Sequence, residues 1–163
     1  MKLGVIGCGN MAKAMLGGIL KNEICAKEDV IATAKSEASR ENARNTYGIQ
    51  VTADNIEAAK SADVLVLASP VYFYSIDAQL KAVIDRTVAR WLEVKNKEFY
   101  YIVTMADEAH SSADTTLACF RGYADCVEGA VEKGVIIGSG VYEPGKVKNT
   151  LAMKQAYEMG KNV

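Results

Sequence analysis

Histidine, tryptophan and proline are scarce in this 163-residue chain, at one, one and two copies. Its four cysteines, Cys8, Cys25, Cys119 and Cys126, form no C-x-x-C pair, and His110 is the sole histidine. A zinc or iron-sulfur site needs several such ligands at defined spacing, so no metal site is expected. The cysteines read instead as small hydrophobes, with Cys119 and Cys126 sharing one face of a predicted helix. Charge of one sign is missing too: 19 basic residues stand against 20 acidic ones, with no basic block. A nucleic acid is therefore not an expected partner. No apolar run is long enough for a membrane span, and the opening Met1-Lys2-Leu3-Gly4-Val5-Ile6 gives way to glycines too soon for a signal peptide. The expected location is cytoplasmic, without membrane contact. Low-complexity segments, fixed repeats and Gly/Ser/Pro linkers are also lacking, so residues 1–163 are expected to form one domain.

Half of the residues are apolar, enough for a core without disulfides. They fall in short runs that alternate with helical patterns, the sequence form of repeated βα units around a parallel sheet. The runs predict strands at Lys2 to Ile6, Asp29 to Thr33, Asp63 to Ala68, Phe99 to Thr104 and Gly134 to Ile137, with a short sixth at Ile49 to Thr52. Helices are predicted at about 11–22, 36–47, 55–61, 76–94, 112–131 and 148–160. The clearest runs from Ile76 to Val94, where Leu80, Val83, Ile84, Val88, Trp91 and Leu92 recur at helical spacing. Pro70 and Pro144 follow predicted strands, where a missing N–H costs no ladder hydrogen bond.

Ligands of open parallel sheets bind beyond the carboxyl ends of the strands. The first such loop, Gly7-Cys8-Gly9-Asn10-Met11-Ala12, has the form G-x-G-x-x-A between a strand and a helix. Gly7 permits the tight turn, Gly9 a close approach of backbone to pyrophosphate, and Ala12 close packing of helix on strand. The helix start adds free N–H groups and a positive dipole end. After the second strand stands Thr33-Ala34-Lys35-Ser36, where an NAD site would place Asp or Glu. Lys35 and Ser36 suit a ribose 2′-phosphate better, which points to NADP(H). The third loop, Ser69-Pro70-Val71-Tyr72-Phe73-Tyr74-Ser75, is aromatic where most such loops are polar. Its rings either line a flat heterocycle such as a flavin or nicotinamide, or fill the gap between strand and helix. The fourth loop carries Thr104, Asp107, Glu108, His110 and Ser111, but no G-x-S-x-G elbow supports a hydrolase.

Two stretches resemble known families. Lys2-Leu3-Gly4-Val5-Ile6-Gly7-Cys8-Gly9-Asn10-Met11-Ala12-Lys13-Ala14-Met15, then Gly17-Gly18-Ile19, Tyr47-Gly48-Ile49-Gln50-Val51 and Ala62-Asp63-Val64-Leu65, resemble the N-terminal domain of pyrroline-5-carboxylate reductase. The resemblance implies that Gly7, Gly9, Asn10, Met11 and Ala12 bind a dinucleotide pyrophosphate, and Lys35 and Ser36 a 2′-phosphate. The family usually has asparagine where Ala34 stands. From about Asp63 onward, Ser69-Pro70-Val71-Tyr72-Phe73-Tyr74-Ser75 with Ala78-Gln79-Leu80-Lys81-Ala82-Val83-Ile84-Asp85-Arg86 resembles the second half of flavodoxin-like, NADPH-dependent FMN reductases. Thr104-Met105-Ala106-Asp107 and Gly140-Val141-Tyr142-Glu143-Pro144-Gly145 resemble that family's later loops. This second resemblance implies that Pro70, Val71, Tyr72, Phe73, Tyr74, Ser75, Thr104 and Asp107 surround an isoalloxazine ring.

Neither family's remaining parts are evident, so working pyrroline-5-carboxylate reductase activity is not expected, and the chain reads as an engineered chimera joined within 63–69. The predicted fold is a doubly wound α/β sheet in the order 3-2-1-4-5-6, or 2-1-3-4-5 if 49–52 is a loop. Three functional readings follow: an NADP(H)-binding domain without an evolved reaction, an FMN-binding oxidoreductase, or a fold with no ligand. Any redox chemistry would belong largely to the cofactor.

Overall fold

Six strands, β1 (Leu3–Val5), β2 (Val30–Thr33), β3 (Gln50–Thr52), β4 (Val64–Pro70), β5 (Glu98–Thr104) and β6 (Val131–Gly138), form one sheet in a computed structural model that describes residues 2–6 and 10–160. The sheet is parallel, and its order is β3-β2-β1-β4-β5-β6. The sixth strand is real: Gln50, Val51 and Thr52 pair with Ile31, Ala32 and Thr33, which excludes the 2-1-3-4-5 order. Helices α1 (Asn10–Lys21), α2 (Glu37–Tyr47), α3 (Asn55–Ser61), α4 (Ala78–Arg86), α5 (Asp114–Asp125) and α6 (Leu151–Gly160) alternate with the strands. The reading of the chain as an engineered chimera is corrected by this sheet. One ladder order runs from β3 to β6, and β4, which holds all of the supposed join at 63–69 but Asp63, is an uninterrupted strand.

Two compact units divide the chain, Met1–Leu65 with Arg90–Lys97, and Val66–Ala89 with Glu98–Val163. In the first, every residue of β2 is buried, as its Val-Ile-Ala-Thr run requires of an inner parallel strand. Leu16, Val30, Ala32, Ala34, Ala43 and Ile49 form its core. Ser36 caps α2 by accepting the Ser39 N–H at 3.2 Å, and Asp54 caps α3 by accepting from Ile56 at 2.8 Å. The other end of α3 is closed by Lys97, only 6% exposed, whose Nζ donates to the carbonyls of Lys60, at 2.8 Å, and Ala62.

In the second unit Phe99, Tyr101 and Val103 alternate along β5 and are fully buried. Tyr101 lies against Phe120 of α5 with ring centroids 5.4 Å apart, and Phe99 meets Tyr123 edge-on at 6.1 Å.

Two helices are shorter than their periodicity predicts. The segment 76–94 is helical only to Arg86, followed by 3-10 turns at Thr87–Ala89 and Trp91–Glu93. Thr87 Oγ1 donates to the Ile84 carbonyl at 2.7 Å, and Arg90 leaves the helical path to pair with Asp54 at 2.5 Å and Glu93 at 2.7 Å. The segment 112–131 ends its α-helix at Asp125, and the chain turns at Gly129 into β6, which starts three residues before Gly134.

Gly4 and Gly134 offer a paired test of packing. A Cβ on Gly4 would lie 2.9 Å from the Ala58 carbonyl oxygen and 3.0 Å from Ala62 Cβ, neither of which can swing away. On Gly134 it would meet the tip of Met159, at 2.5 Å from Cε, and a methionine end can move. Gly4→Ala is expected to cost about 2 kcal/mol and Gly134→Ala less than about 1 kcal/mol. Urea unfolding of both variants checks this, and equal losses would contradict it.

Candidate functional site

The residues after β4, β5 and β6 in the second unit are tied together by main-chain hydrogen bonds. Val71 N–H donates to the Thr104 carbonyl at 2.8 Å, and Met105 N–H to that of Gly138 at 2.9 Å. In return Val141 N–H reaches the Met105 carbonyl, and Gly140 N–H that of Asp107, both at 2.9 Å. Gly140 has φ 65°, a left-handed conformation for which glycine is suited. Thus Pro70, Val71, Thr104 and Asp107, predicted from separate loops, gather at the carboxyl ends of three neighbouring strands.

The aromatic loop is anchored at both feet. Buried Ser69 accepts the Asp77 N–H at 2.8 Å and donates to Asp77 Oδ2 at 3.0 Å, while Asp77 Oδ1 caps α4 through the Leu80 N–H at 2.9 Å. Between the feet, Tyr72 and Ser75 exchange main-chain hydrogen bonds of 3.0 and 3.1 Å around a two-residue turn. The turn residues are Phe73, φ 50°, and Tyr74, φ 64°. Both central residues have positive φ, the I′ pattern that favours Asn and Gly; bulky residues there are strained. Phe73 is 100% exposed, and Tyr72 and Tyr74 are each 62% exposed. Rings this exposed do not fill the gap between strand and helix, whereas the neighbouring Ile76 is buried. Tyr142, which the sequence reading left out of the site, is a further exposed aromatic on the β6 loop.

Asp107 accepts from the Ala109 N–H at 3.0 Å and from Ser112 Oγ at 2.7 Å, and these bonds, the backbone one foremost, hold its carboxyl below the usual range. Both of its oxygens are thus engaged within its own loop rather than aligned on His110. A depressed carboxylate pKa gives stabilisation that is present above the unfolded value near 3.9 and lost as pH falls through the folded one. A carboxyl-carbon NMR titration is expected to place the Asp107 midpoint below about 3.9; a midpoint above it would remove the proposed hydrogen bonding.

In the first unit, Asn10, Met11 and Ala12 form the first turn of α1, as the glycine-turn reading requires of the helix start. Gly7 and Gly9 lie outside the described residues. Lys35 is exposed, and the Ser36 hydroxyl, besides capping α2, donates to Ser39 Oγ at 2.8 Å. Arg40 was not singled out from sequence. Its Nη1 donates to the carbonyls of Ala34 at 2.8 Å and Lys35 at 2.9 Å, while Glu37 holds the rest of the guanidinium. The Glu37–Arg40 spacing of three on a helix was the available signal. Among the described residues no three metal-ligating side chains cluster, and no helix is long and apolar enough to cross a membrane.

A family model described as NADP oxidoreductase coenzyme F420-dependent matches residues 2–90, more than half of the chain. The chain belongs to this family. Pyrroline-5-carboxylate reductase from Vibrio alginolyticus is 45% identical over 67 residues, 41% of this chain and 24% of the relative. The chain therefore spans about a quarter of the length of the curated relatives it matches. Among solved structures, the Trp repressor binding protein from Bacillus subtilis is 18% identical with a TM-score of 0.62, covering 82% of this chain and 97% of that one. An FMN-dependent NADH-azoreductase from Bacillus anthracis str. Ames Ancestor, solved with FMN, is 15% identical with a TM-score of 0.57, covering 93% of this chain and 89% of that one. Such likenesses show the fold of this family member, flavodoxin-like and continuous across the supposed join. They add to the sheet's correction of the chimera reading.

Proposed function

We propose that this chain is a flavodoxin-like oxidoreductase that holds FMN against the loops after β4, β5 and β6, with NADP(H) as the nucleotide of its first βα turn. The observation that carries the flavin reading is the Phe73–Tyr74 turn. A strained backbone that keeps aromatic rings in water is costly to folding, and such features persist where a ligand uses them. Tyr72, Phe73 and Tyr74 would offer flat apolar surface to the isoalloxazine ring, with Val71, Ser75 and Pro70 shaping the loop beneath. Thr104 would supply a hydroxyl, and Asp107 a carboxylate that stays ionised at neutral pH. When bound, the flavin would supply the electron-accepting and electron-donating chemistry.

The match to a family described as NADP oxidoreductase over residues 2–90, which include the glycine turn, supports NADP(H). Gly7, Gly9, Asn10, Met11 and Ala12 would receive its pyrophosphate, and Lys35 and Ser36 its 2′-phosphate. Titration of the protein into FMN is expected to quench flavin fluorescence saturably. NADPH at a hundredfold excess over its dissociation constant is expected to add about 2.7 kcal/mol of stability. A melting shift with NADPH but no quenching of FMN would leave the nucleotide site and remove the flavin one. Neither response would leave a fold without these ligands.

A further inference from the structure

At the other end of the second unit's strands, remote from the loops described above, a cavity of about 260 Å³ opens between the last turn of α5 and the start of β6. Tyr101, Arg121, Asp125 and Glu132 line it, with Ala124 and Val127 as apolar walls. Tyr101 is wholly buried, yet its hydroxyl has no hydrogen-bond partner, an arrangement that folded proteins seldom leave unanswered. Burial, foremost, pushes this phenol up to about 12, so at neutral pH it carries its proton and can donate.

Arg121 clasps Glu132 through Nε and Nη2, both at 2.9 Å. That bidentate contact leaves the two hydrogens of Nη1 without a partner among the described residues. Asp125, one helical turn after Arg121, has no ion-pair partner among them either. The guanidinium is neutralised by Glu132, so Asp125 leaves the lining with one net negative charge. Two unused donors, Tyr101 O–H and Arg121 Nη1, and one unused carboxylate thus share a recess of small-molecule size.

The geometry points to a binding site for a small alkylammonium compound carrying a hydroxyl or carbonyl oxygen. The ammonium group meets Asp125, and the oxygen accepts from Tyr101 and Arg121. An ammonium ligand compensates the net charge, and its oxygen satisfies the orphaned phenol. No residue of the flavin or nucleotide sites takes part, so this site stands or falls separately from them.

The test is a titration of the full chain with ethanolamine at constant ionic strength, followed by amide chemical shifts. Sodium chloride and ethylene glycol serve as controls. Saturable shifts centred on residues 121–132 are expected, with the dissociation constant raised at least about tenfold in Tyr101→Phe and in Asp125→Asn, a loss of about 1.4 kcal/mol each. Tyr101→Phe removes one oxygen and Asp125→Asn changes an exposed side chain, so both variants should fold. Equal response to ethylene glycol, unaltered affinity in both variants, or no saturable shift, meaning a cavity that holds water only, would each overturn the assignment.

Discussion

Replacing the turn pair, Phe73→Asn with Tyr74→Gly, is expected to stabilise the protein by about 2 kcal/mol and to abolish flavin quenching. Both positions sit in the left-handed region, where an aromatic side chain crowds the backbone and where Asn and Gly are the residues hairpin turns select. The main-chain bonds between Tyr72 and Ser75 need no side chain, so the turn itself should persist. Exposed Phe73 contributes nothing to the core that could offset its removal. Stability and binding should therefore move in opposite directions, a trade-off typical of strained sites. Urea unfolding and FMN titration of the same preparation check both parts. A variant that loses stability would show that the rings support the fold, and one that gains stability but still quenches FMN would show that they are not the flavin platform.

Lys97→Met is expected to cost about 3 kcal/mol. Methionine keeps much of the apolar stem but leaves two main-chain carbonyls at the end of α3, those of Lys60 and Ala62, without their donor. An unsatisfied buried acceptor costs more than the original bond gained. Burial also pushes the Lys97 ammonium below its ordinary pKa, with Asp63 opposing. The unfolded chain then holds this proton to higher pH than the folded one, so stability rises between the folded pKa and about 10.4. The neutral amine still offers hydrogens to both carbonyls. The gap in unfolding midpoint between wild type and Lys97→Met should therefore widen as pH is raised through that window. A loss under about 1 kcal/mol at neutral pH would show that water reaches those carbonyls.

The sheet was legible because buried parallel strands are short apolar runs, and the first helix start because glycines precede it. Even β3 could be read, since Ile49 to Thr52 keeps a strand's apolar content despite its length. Helix ends were less legible. Val88 and Leu92 continue the apolar spacing of 76–94, yet they are exposed: the α-helix ends at Arg86, and four residues later Arg90 pairs with Asp54, a partner 36 residues away. Periodicity carries no record of such distant pairs. The aromatic loop could be recognised by residue type, but its I′ turn could not, because neither Asn nor Gly marks it. The chimera reading fails for a related reason: local resemblance reports on short stretches, while strand order is a property of the whole chain.

The four main-chain bonds that join the loops after β4, β5 and β6 have a consequence for how this site can change. They involve only backbone atoms of Val71, Thr104, Met105, Asp107, Gly138, Gly140 and Val141, so most side chains that face outward from these loops are not needed to hold them in place. In these loops, proposed above to hold FMN, exchanging Tyr72 or Tyr142 should therefore change the exposed surface while the backbone beneath keeps its course. The rim is in that sense a replaceable lining on a fixed frame, and under the proposed function single substitutions in it should change ligand preference without moving the frame.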